Sequence, residues 1–109
     1  MATQIFVNLP VKDLPKSIAF FTHLGFSFNP QFTDETAACM IIADRIYAML
    51  LTHPKFREFT KKDIADATKT TEVLIALDAE NREAVQDLMR KAIEAGGQKD
   101  KYRRVQPPY

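Results

Sequence analysis

The chain has 109 residues, a net charge of +1 and an apolar share of 46%. That length is one domain, and that apolar share can close a core, which excludes wholesale disorder. Near-neutral charge gives nucleic acid no field to follow, no apolar run approaches the ~20 residues of a membrane span, and the single cysteine, Cys39, excludes an internal disulfide or a cysteine zinc cage.

The opening MATQIFVNLP lacks the basic start and long apolar centre of a secretion signal, so a cytoplasmic protein with no nucleic-acid or membrane partner is expected. Residues 4–9 alternate as a strand, with Ile5, Val7 and Leu9 on one face and Gln4, Phe6 and Asn8 on the other. Pro10 is expected to end the ladder. Asp13 is a good N-cap, Pro15 suits a first turn, and Ile18, Phe21 and Leu24 form a helical stripe. Gly25 stops this helix, which is predicted over 14–24. Short apolar runs at 26–28, Ala37–Ala43 and Ile46–Thr52 read as three strands, the last two joined by a tight turn at Asp44-Arg45.

Residues 54–70 are a polar linker, in which Phe56 and Phe59 stand three apart and predict a short helix docked on the core. Residues 72–77, EVLIAL, read as another strand. Asp78 and Asn81 compete to cap a helix over 82–95, whose stripe is Val85, Leu88, Met89, Ala92 and Ile93. Gly96 and Gly97 stop it. Beyond them the composition changes: residues 98–109 are strongly basic, with two prolines and few aliphatic side chains. A mobile basic tail is expected there.

The two halves therefore repeat one order: strand, cap, helix, glycine. The first half also carries a specific wording. Val11, Asp13, Leu14, Ser17, Phe20, Phe21, Leu24, Gly25 and Phe26 spell V-x-D-L-x-x-S-x-x-F-F-x-x-L-G-F. This resembles the opening of the glyoxalase/bleomycin-resistance/dioxygenase family, the vicinal oxygen chelate superfamily. Residues 31–53 resemble a subgroup of predicted lactoylglutathione lyases. The resemblance spans about 3–97 and implies an α+β fold of two βαβββ modules whose sheets form a cup for a ligand. Here the first module would occupy 1–53 and a partial second module 71–97, giving one domain over 1–97. Only residues 98–109 follow, too few for three strands of ordinary length. The second module is therefore expected to be an incomplete βα unit, as a truncation, a frameshifted reading or an alternative transcript would produce.

The resemblance also implies where a metal would sit. The first-strand ligand position falls at Phe6, its counterpart in the second module at Leu74, and the last-strand position of the first module near Leu50. An aromatic ring and two leucines cannot coordinate a divalent ion. No metal site and no cofactor are expected; Zn²⁺ or Ni²⁺ enters only if the chain is a metal-dependent lyase. Asn8 and Glu72 are the polar residues nearby, a thin set for a metal. Phe6, Asn8, Leu50 and Leu74 are the candidate ligand-lining residues. His23, in a helix last turn, reads as a dipole contact, and His53, before Pro54, as an exposed loop histidine rather than a general base. Cys39, within an apolar strand, reads as a buried small hydrophobe.

The function expected is binding of a small molecule in a cupped sheet without the family's metal. The alternatives are a metal-dependent lactoylglutathione lyase, a non-catalytic sequestering dimer, and a truncated product without function. An unclosed second module leaves apolar surface to cover, so a homodimer is expected.

Overall fold

The computed structural model describes residues 1–99 and 105–106. The expected tail at 98–109 falls largely outside them. Within it, β5 (Gln98–Lys99) and β6 (Val105–Gln106) pair as a short antiparallel ladder. No helix among the described residues is long and apolar enough to cross a membrane.

The first module forms a four-stranded mixed sheet with a helix, an α+β arrangement. Its elements are β1 (Ile5–Val11), α1 (Leu14–His23), β2 (Ser27–Asn29), β3 (Ala37–Ala43) and β4 (Ile46–Thr52), and the spatial order is β1-β4-β3-β2. β1 runs parallel to β4, while β3 is antiparallel to both β4 and β2. β1 continues through Pro10 to Val11 instead of stopping before it. The reason is its place at the sheet edge, where proline's missing N–H can point away from the ladder. β2 lies one residue later than the apolar run suggested, ending at Asn29, whose side chain caps the 3₁₀ turn Pro30–Phe32.

α1 begins where Asp13 accepts a hydrogen bond from the Lys16 amide at 3.1 Å. It ends with Gly25 at φ +106, its amide donating to the Thr22 carbonyl and that of Phe26 to the Phe21 carbonyl. The two rings, Phe21 and Phe26, then meet edge to face at 6.2 Å, the apolar contact that accompanies this helix stop. One face of the sheet packs on α1. Val7, Leu9 and Val11 from β1 join Ala38 and Met40 from β3, Ala48 and Leu50 from β4, and Leu14, Ile18 and Phe21 from the helix. Ser17, 1% exposed, lies on the buried side of α1, its hydroxyl without a hydrogen-bond partner among the described residues.

After β4 the chain enters α2 (His53–Phe56) and a 3₁₀ turn at Arg57–Phe59. This is the predicted short helix, and it does dock on β1 and β4; Phe56 is half-buried, while Phe59 is 71% exposed and lies under the Lys55 ammonium. α3 (Arg82–Glu94) is capped by Asn81, which accepts from the Ala84 amide at 2.8 Å. It repeats the glycine stop of α1, with Gly96 at φ +103 and the Gly97 amide bound to the Ala92 carbonyl. α3 rests on α1, burying Ala92, while His23 Nε2 reaches Glu94 Oε1 at 3.4 Å.

One expected element is missing. Residues 71–79 join no ladder and no helix, so EVLIAL is not a strand here. A strand exists through its partners, and none is at hand for this segment among the described residues. Val73, Leu74, Ile75 and Leu77 are 40–71% exposed, as are Val85 and Ile93 on α3 at nearly half. The second half is thus a helix with an apolar segment beside it in sequence and no closed core.

Candidate functional site

The sheet face opposite α1 is built from the alternate residues of each strand. The register places Phe6 beside Tyr47, Asn8 beside Met49 and Pro10 beside Leu51. β3 continues these rows with Ile41, Cys39 and Ala37. Two regions cover one end of this face. The Thr33 hydroxyl accepts the Cys39 amide at 3.1 Å, and α2 packs across the ends of β1 and β4. Cys39 and Leu51 are each 2% exposed as a result, and Pro10 is buried. The other end stays open. There the rings of Phe6 and Tyr47 stack, with centroids 4.8 Å apart and planes 13° from parallel, and Phe6 remains 48% exposed.

Of the four expected lining residues, the structure brings two together. Phe6 and Asn8 share the open face. Leu50 does not: it is 0% exposed within the core on the α1 side. Strand parity explains the correction, because one step along β4 exchanges the faces, and Met49 and Tyr47 are the residues of β4 that stand with Asn8 and Phe6. Leu74 lies in the irregular segment 71–79, 71% exposed and in no register with Phe6. Tyr47 and Met49 are legible only in the alternation of Ile-Tyr-Ala-Met-Leu-Leu-Thr, which sets the face by parity along β4.

At the covered end a cleft of about 200 Å³ lies between the β1 terminus and residues 57–72. Pro10, Lys12, His53, Arg57, Asp66 and Glu72 line it, with Ile64 and Ala65 among the apolar walls. Asp66 is tied to its own turn, accepting from the Thr68 amide at 3.0 Å and hydroxyl at 2.6 Å. These bonds, with the Lys12 charge, hold its carboxyl below the usual range. Burial pushes the Glu72 carboxyl up, and the neighbouring His53 only partly offsets this. His53 is half-buried, not the exposed loop residue expected. That it lines one cleft with Glu72 could not be seen in the sequence, because the polar linker separates the two. A larger, open trough of about 470 Å³ lies along residues 2–5 and the Asp44-Arg45 turn, whose two side chains are its only ionisable lining groups.

The donors do not fit a divalent metal. The open face offers the Asn8 carboxamide, the Tyr47 phenol and the Met49 thioether, neutral groups unlike the imidazole and carboxylate sets that hold Zn²⁺ or Ni²⁺. His53 and Glu72 supply two suitable donors, and no group of three or more His, Cys, Asp or Glu side chains comes together among the described residues. Burial also raises the Cys39 thiol, which suits a packed hydrophobe rather than a nucleophile.

Comparison with known proteins agrees with this architecture. The sequence model of the family described as bleomycin resistance protein-like N-terminal matches residues 3–43, from β1 to the end of β3. The solved structure of a hypothetical protein, SA1046 from S. aureus, is 32% identical with a TM-score of 0.72, and the match covers 89% of this chain and 72% of that one. A glyoxalase/bleomycin resistance protein/dioxygenase family enzyme from Burkholderia phytofirmans PsJN is 19% identical with a TM-score of 0.63, covering 85% of this chain and 72% of its own. No curated protein matches significantly. Residues 3–43 thus match the bleomycin resistance protein-like N-terminal family, and the fold is similar to that of a glyoxalase/bleomycin resistance protein/dioxygenase family enzyme.

Proposed function

We propose that this protein binds a small molecule with an aromatic or flat apolar part on the open sheet face, without a divalent metal. The observation that carries the proposal is the stacked Phe6–Tyr47 pair, half-exposed on a sheet face whose other end is covered. Aromatic residues at the surface are large binding area with little side-chain entropy to lose, and offset stacking adds about 0.5–1.5 kcal/mol per contact. Met49 beside them supplies an adaptable apolar floor, and Asn8 one amide for orientation.

A single sheet face is one wall, whereas ligand sites enclose most of their ligand. We place the second wall on another copy of the chain. The support is the exposed apolar set Val73, Leu74, Ile75, Leu77, Val85 and Ile93, which no element among the described residues covers. The enzyme alternative, a metal-dependent lyase, draws no support from the donor groups.

Bleomycin, named by the matching family, is a rational first ligand. The chain has no tryptophan, so tyrosine fluorescence reports directly on the three tyrosines. Metal-free bleomycin is expected to change that signal saturably in the wild type, and far more weakly after Tyr47→Leu or Phe6→Ala. An unchanged signal in the wild type would count against the drug. Conversion of the methylglyoxal–glutathione hemithioacetal in the presence of Zn²⁺ or Ni²⁺, well above the uncatalysed rate, would overturn the metal-free reading.

A further inference from the structure

We propose that the cleft at the covered end of the open face takes a primary ammonium group, with the Glu72 carboxylate as counter-ion and the His53 imidazole as a second acceptor. The inference rests on the small-molecule site described above, next to which the cleft lies along β1. Pro10, which lines the cleft, belongs to the same row of alternate residues as Phe6 and Asn8.

The cleft's ionisable groups sort into two sets. Asp66 is satisfied by Thr68 and stands near Lys12, so that end is occupied by its own turn and a cation. Arg57 lies on the exposed rim. Glu72 is different. It is half-buried, it makes no hydrogen bond or ion pair among the described residues, and it shares the cleft with His53. A desolvated carboxylate without donors is costly, and a ligand that brings donors and a positive charge removes that cost. An ammonium carries three N–H donors. A carboxylate oxygen and a neutral imidazole nitrogen can accept two of them.

Size sets the rest of the ligand. About 200 Å³ equals the space of six or seven waters, enough for an ammonium and a few carbons and too little for a drug-sized molecule. Residues on one face of a strand recur about every 7 Å. A chain of roughly four carbons would therefore carry a ring from the cleft to the Met49 row, beside Phe6 and Tyr47. The ligand class is an arylalkyl amine.

Three probes of one shape separate the possibilities: 4-phenylbutylammonium, the neutral 4-phenylbutanol and the anionic 4-phenylbutyrate, each titrated at neutral pH and followed by amide NMR shifts. The ammonium is expected to bind at least about tenfold more tightly than the alcohol. Glu72→Gln should erase that margin, and Asp66→Asn should keep it. Equal affinities, preference for the acid, or a margin that survives Glu72→Gln would overturn the proposal. The broader reading fails separately: if Phe6→Ala leaves the affinity for 4-phenylbutanol unaltered, the sheet face is not the site, whatever Glu72 does.

Discussion

Asp34 shows how single residues fix the ends of the open face. Its carboxylate accepts from the Thr36 amide at 2.7 Å, the Thr36 hydroxyl at 2.8 Å and the Ala37 amide at 3.0 Å, which ties down the entry into β3. Those bonds hold its carboxyl below the ordinary range, chiefly through Thr36. A carboxyl depressed in the folded state contributes stability above its unfolded value and loses it as pH falls through the folded one. Asp34, Asp66 and Asp87 all act in this direction, whereas Glu72, raised by burial, contributes below its unfolded value and loses that contribution as pH rises. Urea unfolding across the acid range should therefore show stability falling below the ordinary aspartate range, with a shallower fall in Asp34→Asn. An equal fall in that variant would remove Asp34 from the account. Asp13 is simpler. Its cap bond to Lys16 should make Asp13→Ala cost roughly 1 kcal/mol of unfolding free energy, as helix caps do.

At the scale of elements, the faces of β4 decide between packing and binding. Leu50 is fully buried against α1, and Met49, one residue away, is half-buried on the open face. Leu50→Ala should cost about 2–5 kcal/mol, as core truncations do, while Met49→Ala should cost much less and weaken ligand binding instead. Chemical denaturation of the two variants checks this; similar losses would mean that the faces are wrongly assigned. The first module was legible in the sequence because local signals agreed there: alternation in β1, the Asp13 cap, the stripe of α1 and the Gly25 stop all favoured one answer. EVLIAL was misread for the opposite reason. Its β-propensity is real, but a strand also needs neighbours, and no local signal reports their absence. The pairing of Phe6 with Tyr47 and the placing of His53 and Glu72 in one cleft depend on register and on the path of the linker, which a pattern read along one segment cannot supply.

The molecule as a whole pairs a closed first module with an open second half. The core lies between α1 and the sheet, α3 leans on α1, and the apolar residues of 73–77 face solvent. With a net charge of +1 there is little global repulsion to keep copies apart. Sedimentation at micromolar concentration should show a dimer that dissociates on Leu74→Lys or Val85→Lys; a monomer in the wild type would place the second wall of the site elsewhere. The direct test of the central claim is a titration of chelator-treated protein with 4-phenylbutanol, following amide and side-chain NMR signals. The expected result is saturable shifts at Phe6, Tyr47 and Met49, smaller changes at Leu50, and the same affinity after Zn²⁺ or Ni²⁺ is added. Binding that appears only with metal, or shifts that avoid the Phe6–Tyr47 face, would contradict it.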